Sequence, residues 1–131
     1  MPAEYTRGSE TILLVEDELP LRNVVCDLLK QLGYKVLDAG GGPEALALAE
    51  KHGAGIDLLL TDVRMPEMEG PELASLLKAK WPGVKVVFIS GYVGSSLGTD
   101  GVLPAGTILL QKPFTMRLLA DTLRKVLDEP A

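Results

Sequence analysis

A chain of 131 residues, 47% apolar and 24% charged, has room for one domain with a single sizeable core and not for two. Its formal net charge of −5, with no run of Lys and Arg, excludes an electrostatic nucleic-acid binder. One cysteine, Cys26, cannot close an internal disulfide, and among Val24, Val25, Leu28 and Leu29 it reads as a buried small hydrophobe in a reducing compartment.

The first ten residues, MPAEYTRGSE, carry no signal-peptide core, and no stretch approaches the roughly 18 apolar residues of a membrane span. A cytoplasmic protein without direct membrane contact is expected. TILLVE, Thr11 to Glu16, is the first strand-like run. Leu21, Val24, Val25, Leu28, Leu29 and Leu32 then follow helical spacing, with Pro20 near the start and Gly33 as the stop. YKVLDA, Tyr34 to Ala39, is a second strand, and Pro43 opens a helix in which Ala45, Leu48 and Ala49 share a face until Gly53.

IDLLLTD, Ile56 to Asp62, is the third strand, followed by a helix from Pro71 to about Lys80, before Pro82. VKVVFIS, Val84 to Ser90, is the fourth. In GYVGSSLGTDGVLPA, Gly91 to Ala105, four glycines and a proline dilute any helical pattern, so the fourth crossover helix is expected to be short or mobile. GTILLQ, Gly106 to Gln111, is the fifth strand; Thr115 is a candidate cap for a last amphipathic helix through Leu119, Leu123, Val126 and Leu127. The first, third and fourth runs are nearly continuous in Leu, Ile and Val, as in parallel strands covered on both faces. The alternation predicts an α/β fold with right-handed crossovers in a domain over 10–128, flanked by short tails at 1–9 and 129–131.

In an open parallel sheet, ligands bind beyond the carboxyl ends of the strands. The first strand ends in Glu16 and Asp17, the third in Asp62, the fourth in Ser90, and the fifth in Gln111, Lys112 and Pro113; the second, with Asp38 before Ala39 and glycines, offers no convincing functional group. Carboxylates a few ångström apart repel by about 3–4 kcal/mol at an effective dielectric near 20, which asks for a cation. An oxygen-only donor set suits Mg²⁺, which leaves positions open for phosphate oxygens. Taken singly, each residue also has an ordinary reading: Glu16 and Asp17 as an N-cap and a first-turn acid, Asp62 and Ser90 as turn residues, Lys112 as a solvated charge. Their joint appearance on successive strand ends favours a phosphoryl site.

VED in the first strand, TDVRMP around Asp62, ISGY around Ser90 and QKPF around Lys112 together resemble the response-regulator receiver domain of two-component signalling, from Glu10 to Leu127. The resemblance implies a single flavodoxin-like (βα)5 domain, its five parallel strands in the order 2-1-3-4-5 with helices on both faces. It implies Asp62 as phosphoacceptor and Mg²⁺ held by Glu16, Asp17, Asp62 and the backbone carbonyl of Arg64. Ser90 is then the switch hydroxyl, Lys112 contacts the phosphoryl group, and the bond between Lys112 and Pro113 is cis. The donor is a phosphohistidine of a histidine kinase or histidine-phosphotransfer protein, and the output is a changed protein-binding surface, with a homodimer as one form of it. The domain would catalyse its own phosphorylation and dephosphorylation without turning over a diffusing substrate.

The sequence departs from the pattern at Leu109, where many receivers carry an aromatic residue; core packing is the simpler reading. Tyr92, two residues after Ser90, and Arg64, two after Asp62, are candidates for tuning the signal, beside the plainer readings of a residue at the site entrance and a solvent-facing arginine. His52, the only histidine, is expected to be a surface residue at a helix end, and Met65 and Met68 to be packing. ETILLVEDE, FISGY and LLQKPF resemble most the C-terminal receivers of hybrid histidine kinases. With DEPA shortly after the last helix, no output domain is expected within the chain. Two alternatives stand: a Mg²⁺-dependent phosphatase with an aspartyl-phosphate intermediate, against which Arg64 counts because such enzymes place a second acid there, and a receiver-fold interaction module that is never phosphorylated.

Overall fold

The computed structural model describes residues 8–52, 55–65, 67–90, 108–111 and 114–129. The Gly91 to Ala105 segment with Tyr92, and the Lys112–Pro113 bond, lie outside the described residues. In chain order the elements are β1 (Thr11–Val15), α1 (Leu19–Gln31), β2 (Lys35–Ala39), α2 (Gly42–His52), β3 (Leu58–Asp62), α3 (Gly70–Lys80), β4 (Lys85–Ser90), β5 (Ile108–Gln111) and α4 (Met116–Asp128). The strands form one parallel sheet in the order β2-β1-β3-β4-β5.

Burial along the sheet explains its composition. All five residues of β3, in the middle, are buried, as are the last four of β1. Covered on both faces, Ile12 to Val15 and Leu58 to Leu60 are all apolar, and only the end of β3 buries polar groups, Thr61 and Asp62. The edge strands β2 and β5 keep Lys35, Asp38 and Gln111 exposed. Alternate residues feed opposite cores. Ile12, Leu14, Leu58, Leu60, Val87 and Ile89 pack with Val25, Cys26 and Leu29 of α1 and Leu119, Leu123 and Val126 of α4. Leu13, Val15, Leu59 and Phe88 pack on the other side with Ala45 and Ala49 of α2 and Leu73 and Leu77 of α3.

The helix ends follow from short sequence signals. Pro20 and Pro71 sit in the first turns of α1 and α3, where a missing N–H costs nothing. Thr115 caps α4, its hydroxyl accepting from the Leu118 N–H at 3.0 Å. β1 to β4 are one or two residues shorter than the apolar runs suggest. Tyr34 precedes β2 as a buried core residue, and Ile56 precedes β3. In both places apolar burial extends beyond the hydrogen-bonded ladder.

From β1 the chain steps outward to β2 by α1 on one face, then back past β1 to β3 by α2 on the other. Helices on opposite faces keep the hand of the crossovers uniform while the direction reverses. The reversal opens a crevice between the carboxyl ends of β1 and β3.

Candidate phosphoryl and metal site

Glu16 and Asp17 follow β1 directly, and Asp62 is the last residue of β3, so both sides of the crevice are acidic. One oxygen from each of the three carboxylates can be chosen such that all lie within 4.8 Å of one another. Glu16 and Asp62 are almost fully buried, 1% and 5% exposed, whereas Asp17 is exposed. At that spacing each pair of ionised groups repels by about 3.5 kcal/mol at an effective dielectric of 20. Two oxygens on opposite sides of one Mg²⁺ stand about 4.2 Å apart, so the spread is close to that of a single coordination sphere. The donor set therefore fits the ion: hard oxygen ligands, two of them buried and one open to water.

The turn carrying the pair is tightly held. The Glu16 N–H donates to the Ala39 carbonyl at 3.1 Å, its carboxylate Oε2 accepts from the Glu18 N–H at 3.1 Å, and its carbonyl accepts from Arg22 Nη1 at 3.1 Å. The N-cap position of α1 belongs to Glu18, so neither Glu16 nor Asp17 is the cap residue.

Around Asp62 the backbone is equally constrained. Its carbonyl accepts from Thr61 Oγ1 at 3.0 Å, and the loop closes with Val63 N–H on the Ile89 carbonyl at 3.0 Å and Gly70 N–H on the Val63 carbonyl at 2.8 Å. A Cβ on Gly70 would lie 2.1 Å from the Asp62 carbonyl oxygen. Only glycine lets α3 start this close to the acid. Ser90 ends β4, 7% exposed, one position beyond Ile89, the register partner of Asp62.

Arg64 is exposed, with Nη1 3.6 Å from Glu69 Oε2 at the start of α3. Leu109 is half-buried opposite Phe88 and packs against the core of α2 and α3. Met65 belongs to that core and Met68 packs on it; His52 is the exposed last residue of α2. The structure thus brings Glu16, Asp17 and Asp62 together and sets Ser90 on the neighbouring strand end, while Lys112 and Tyr92 lie outside the described residues.

Asp38, near the end of the second strand, is not in the acidic cluster but is paired with an arginine of α1. Asp38 Oδ2 lies 3.3 Å from Arg22 Nε, and the same guanidinium holds the Glu16 carbonyl. No signal in a single sequence joins an arginine in α1 to an acid sixteen residues later on another element; the pairing exists only once β1 and β2 lie side by side.

A family profile described as the response regulator receiver domain matches residues 12–124. The chain is 38% identical to the sensor kinase CckA of Brucella abortus (strain 2308) over 93% of its own length and 13% of the kinase's. It is 35% identical to the response regulator receiver protein CpdR of the same organism, over 88% of this chain and 95% of that protein. Among solved structures, the receiver domain of the hybrid histidine kinase CckA superposes with a TM-score of 0.76 at 38% identity, covering 90% of this chain and 99% of that one. The Vibrio cholerae chemotaxis protein CheY4 superposes at 0.78 with 30% identity, covering 91% and 99%. The parallel order β2-β1-β3-β4-β5, the acids at its reversal point and these matches make the chain a member of the response-regulator receiver family of two-component signalling.

Proposed function

We propose that Asp62 accepts a phosphoryl group from a phosphohistidine of a histidine kinase or histidine-phosphotransfer protein, and that the modification switches a protein-binding surface. The observation that carries this is the convergence of Glu16, Asp17 and Asp62 within 4.8 Å at the crevice between β1 and β3. When bound there, Mg²⁺ supplies charge neutralisation for the acids and for the oxygens of the transferring group. Glu16, Asp17, Asp62 and the Arg64 carbonyl are the ligands assigned to it.

The chain's own groups do the rest. An Asp62 carboxylate oxygen attacks phosphorus in line as the N–P bond breaks, and the departing imidazole keeps the electron pair and takes a proton. The hydrogen bonds that fix the backbone on both sides of Asp62 hold that oxygen at the mouth of the crevice, a positioning effect that lowers the entropic part of the barrier. Ser90, on the adjacent strand end, is assigned the hydrogen bond to the phosphoryl oxygen, and Lys112 its charge partner. Water later cleaves the acyl phosphate and returns Asp62. We place the domain in the cytoplasm, where such kinases present their phosphohistidine; no helix among the described residues is long and apolar enough to cross a membrane.

Incubation with acetyl phosphate and Mg²⁺ tests the assignment by intact mass. Wild type is expected to gain one acid-labile phosphoryl group, chelation of Mg²⁺ to prevent the gain, and Asp62→Asn to show none. Undiminished labelling of Asp62→Asn would remove Asp62 from this role. Multiple turnover of phosphate esters would instead favour a phosphatase.

A further inference from the structure

Resting on the Mg²⁺ reading above, we infer that Arg22 is a positioning residue for the metal-binding acids, holding the turn that carries Glu16 and Asp17 against the end of β2. Arg22 lies one turn into α1, its side chain largely buried at 17% exposure. Its guanidinium reaches out of the helix in two directions. Nη1 donates to the Glu16 carbonyl at 3.1 Å, and Nε lies 3.3 Å from Asp38 Oδ2, a charge contact rather than an aligned hydrogen bond. A planar, permanently charged fork spans two partners in this way where a lysine ammonium offers a single point.

Three features make the bridge more than a surface ion pair. The contact with Glu16 is to the main chain of a residue whose carboxylate is 1% exposed, so any shift of that carbonyl moves the ligand with it. Asp38 offsets the charge of the guanidinium, so organising the acids does not set an uncompensated cation beside a cation site. The route is also kept open by Gly40: a Cβ there would stand 2.6 Å from Arg22 Nη1, while the Gly40 N–H is held by Glu44 Oε1 at 2.9 Å. The backbone at Gly40 is anchored and the space above it is used by the arginine. Groups that orient metal ligands in this way typically contribute about tenfold or more to metal affinity.

The test is Mg²⁺ affinity by titration calorimetry, together with melting temperature in chelator and in Mg²⁺, for wild type, Arg22→Gln, Gly40→Ala and Asp17→Asn. The expected result is a Kd weakened by about tenfold in Arg22→Gln and in the same direction, by several-fold, in Gly40→Ala, with a smaller Mg²⁺-induced rise in melting temperature. A bolt that merely held the fold together would lower the melting temperature in chelator and leave Kd unchanged. Gly40→Ala displaces only the flexible end of Arg22 and decides the matter if Arg22→Gln does not fold. Folded variants that bind Mg²⁺ within about twofold of wild type overturn the role of Arg22 alone. Absence of Mg²⁺ binding by wild type, or unchanged binding by Asp17→Asn, overturns the metal site itself and this inference with it.

Discussion

Glu67, in the loop between Asp62 and α3, holds φ at 70°, a left-handed conformation in which a side chain with a Cβ is strained by about 1–2 kcal/mol. It keeps that conformation because its surroundings are fixed: Gly70 N–H is bonded to the Val63 carbonyl, Gly70 presses on the Asp62 carbonyl, and Met68 fills the space beside Gly42. The strain lies in the loop that follows Asp62, beside the acidic cluster, where such outliers gather. Asparagine tolerates this region better, so Glu67→Asn is expected to raise unfolding free energy by about 0.5–1 kcal/mol in urea titration. A destabilised variant would show that the carboxylate makes a contribution larger than its backbone costs. Asp62, Glu16 and Asp17 were legible in the sequence because chemistry of one kind recurred at strand ends. The φ of Glu67 was not, since glutamate is an ordinary residue for a polar loop and nothing adjacent marks a positive angle.

The elements are tied together at the end of the sheet opposite the site by a second charged group. Arg124 in α4 donates from Nη2 and Nη1 to the two carboxylate oxygens of Glu10, at 2.7 and 3.1 Å, and from Nη2 to Asp128 at 2.7 Å. Glu10 lies just before β1 and its carbonyl accepts from the Lys35 N–H, so this fork anchors the last helix to the first two strands. The Arg124 hydrogen bonds hold the Glu10 carboxyl at about 2, down from 4.5, with partial burial opposing, and lower Asp128 as well. Because the folded value of Glu10 is depressed, its contribution to stability is fully present above about pH 4.5 and is lost as pH falls toward 2. Allowing for solvent screening of a partly exposed pair, Glu10→Gln is expected to cost about 1–2 kcal/mol at pH 6, and the gap to wild type to narrow steadily below pH 4. Denaturant titrations of both proteins at pH 6 and pH 3 check this; an equal gap at the two pH values would contradict it. Periodicity and proline placement made α1, α2, α3 and α4 readable. The Glu10–Arg124 fork joins residues 114 positions apart and was not readable from local pattern.

Across the whole molecule, the parallel strands place chemistry at their carboxyl ends and a structural clamp at the opposite end of the sheet. The continuous apolar runs of β1, β3 and β4 disclosed a sheet covered on both faces because central parallel strands have no polar face to display. What they did not disclose is that β2, an edge strand, reaches the site through Asp38 and Arg22, since that link depends on side chains from two layers meeting. The account's central claim is that Glu16, Asp17 and Asp62 form one Mg²⁺-dependent phosphoryl site that drives a change in surface. Amide NMR spectra with Mg²⁺, and with Mg²⁺ plus beryllium fluoride, whose bound species stands in for phosphoryl on Asp62, test it most directly. The predicted result is that Mg²⁺ alone shifts resonances around Glu16, Asp17 and Asp62, and that beryllium fluoride extends the shifts to Ser90 and outward along β4 and β5 only when Mg²⁺ is present and never in Asp62→Asn. An unchanged wild-type spectrum, or the same response in Asp62→Asn, would contradict it.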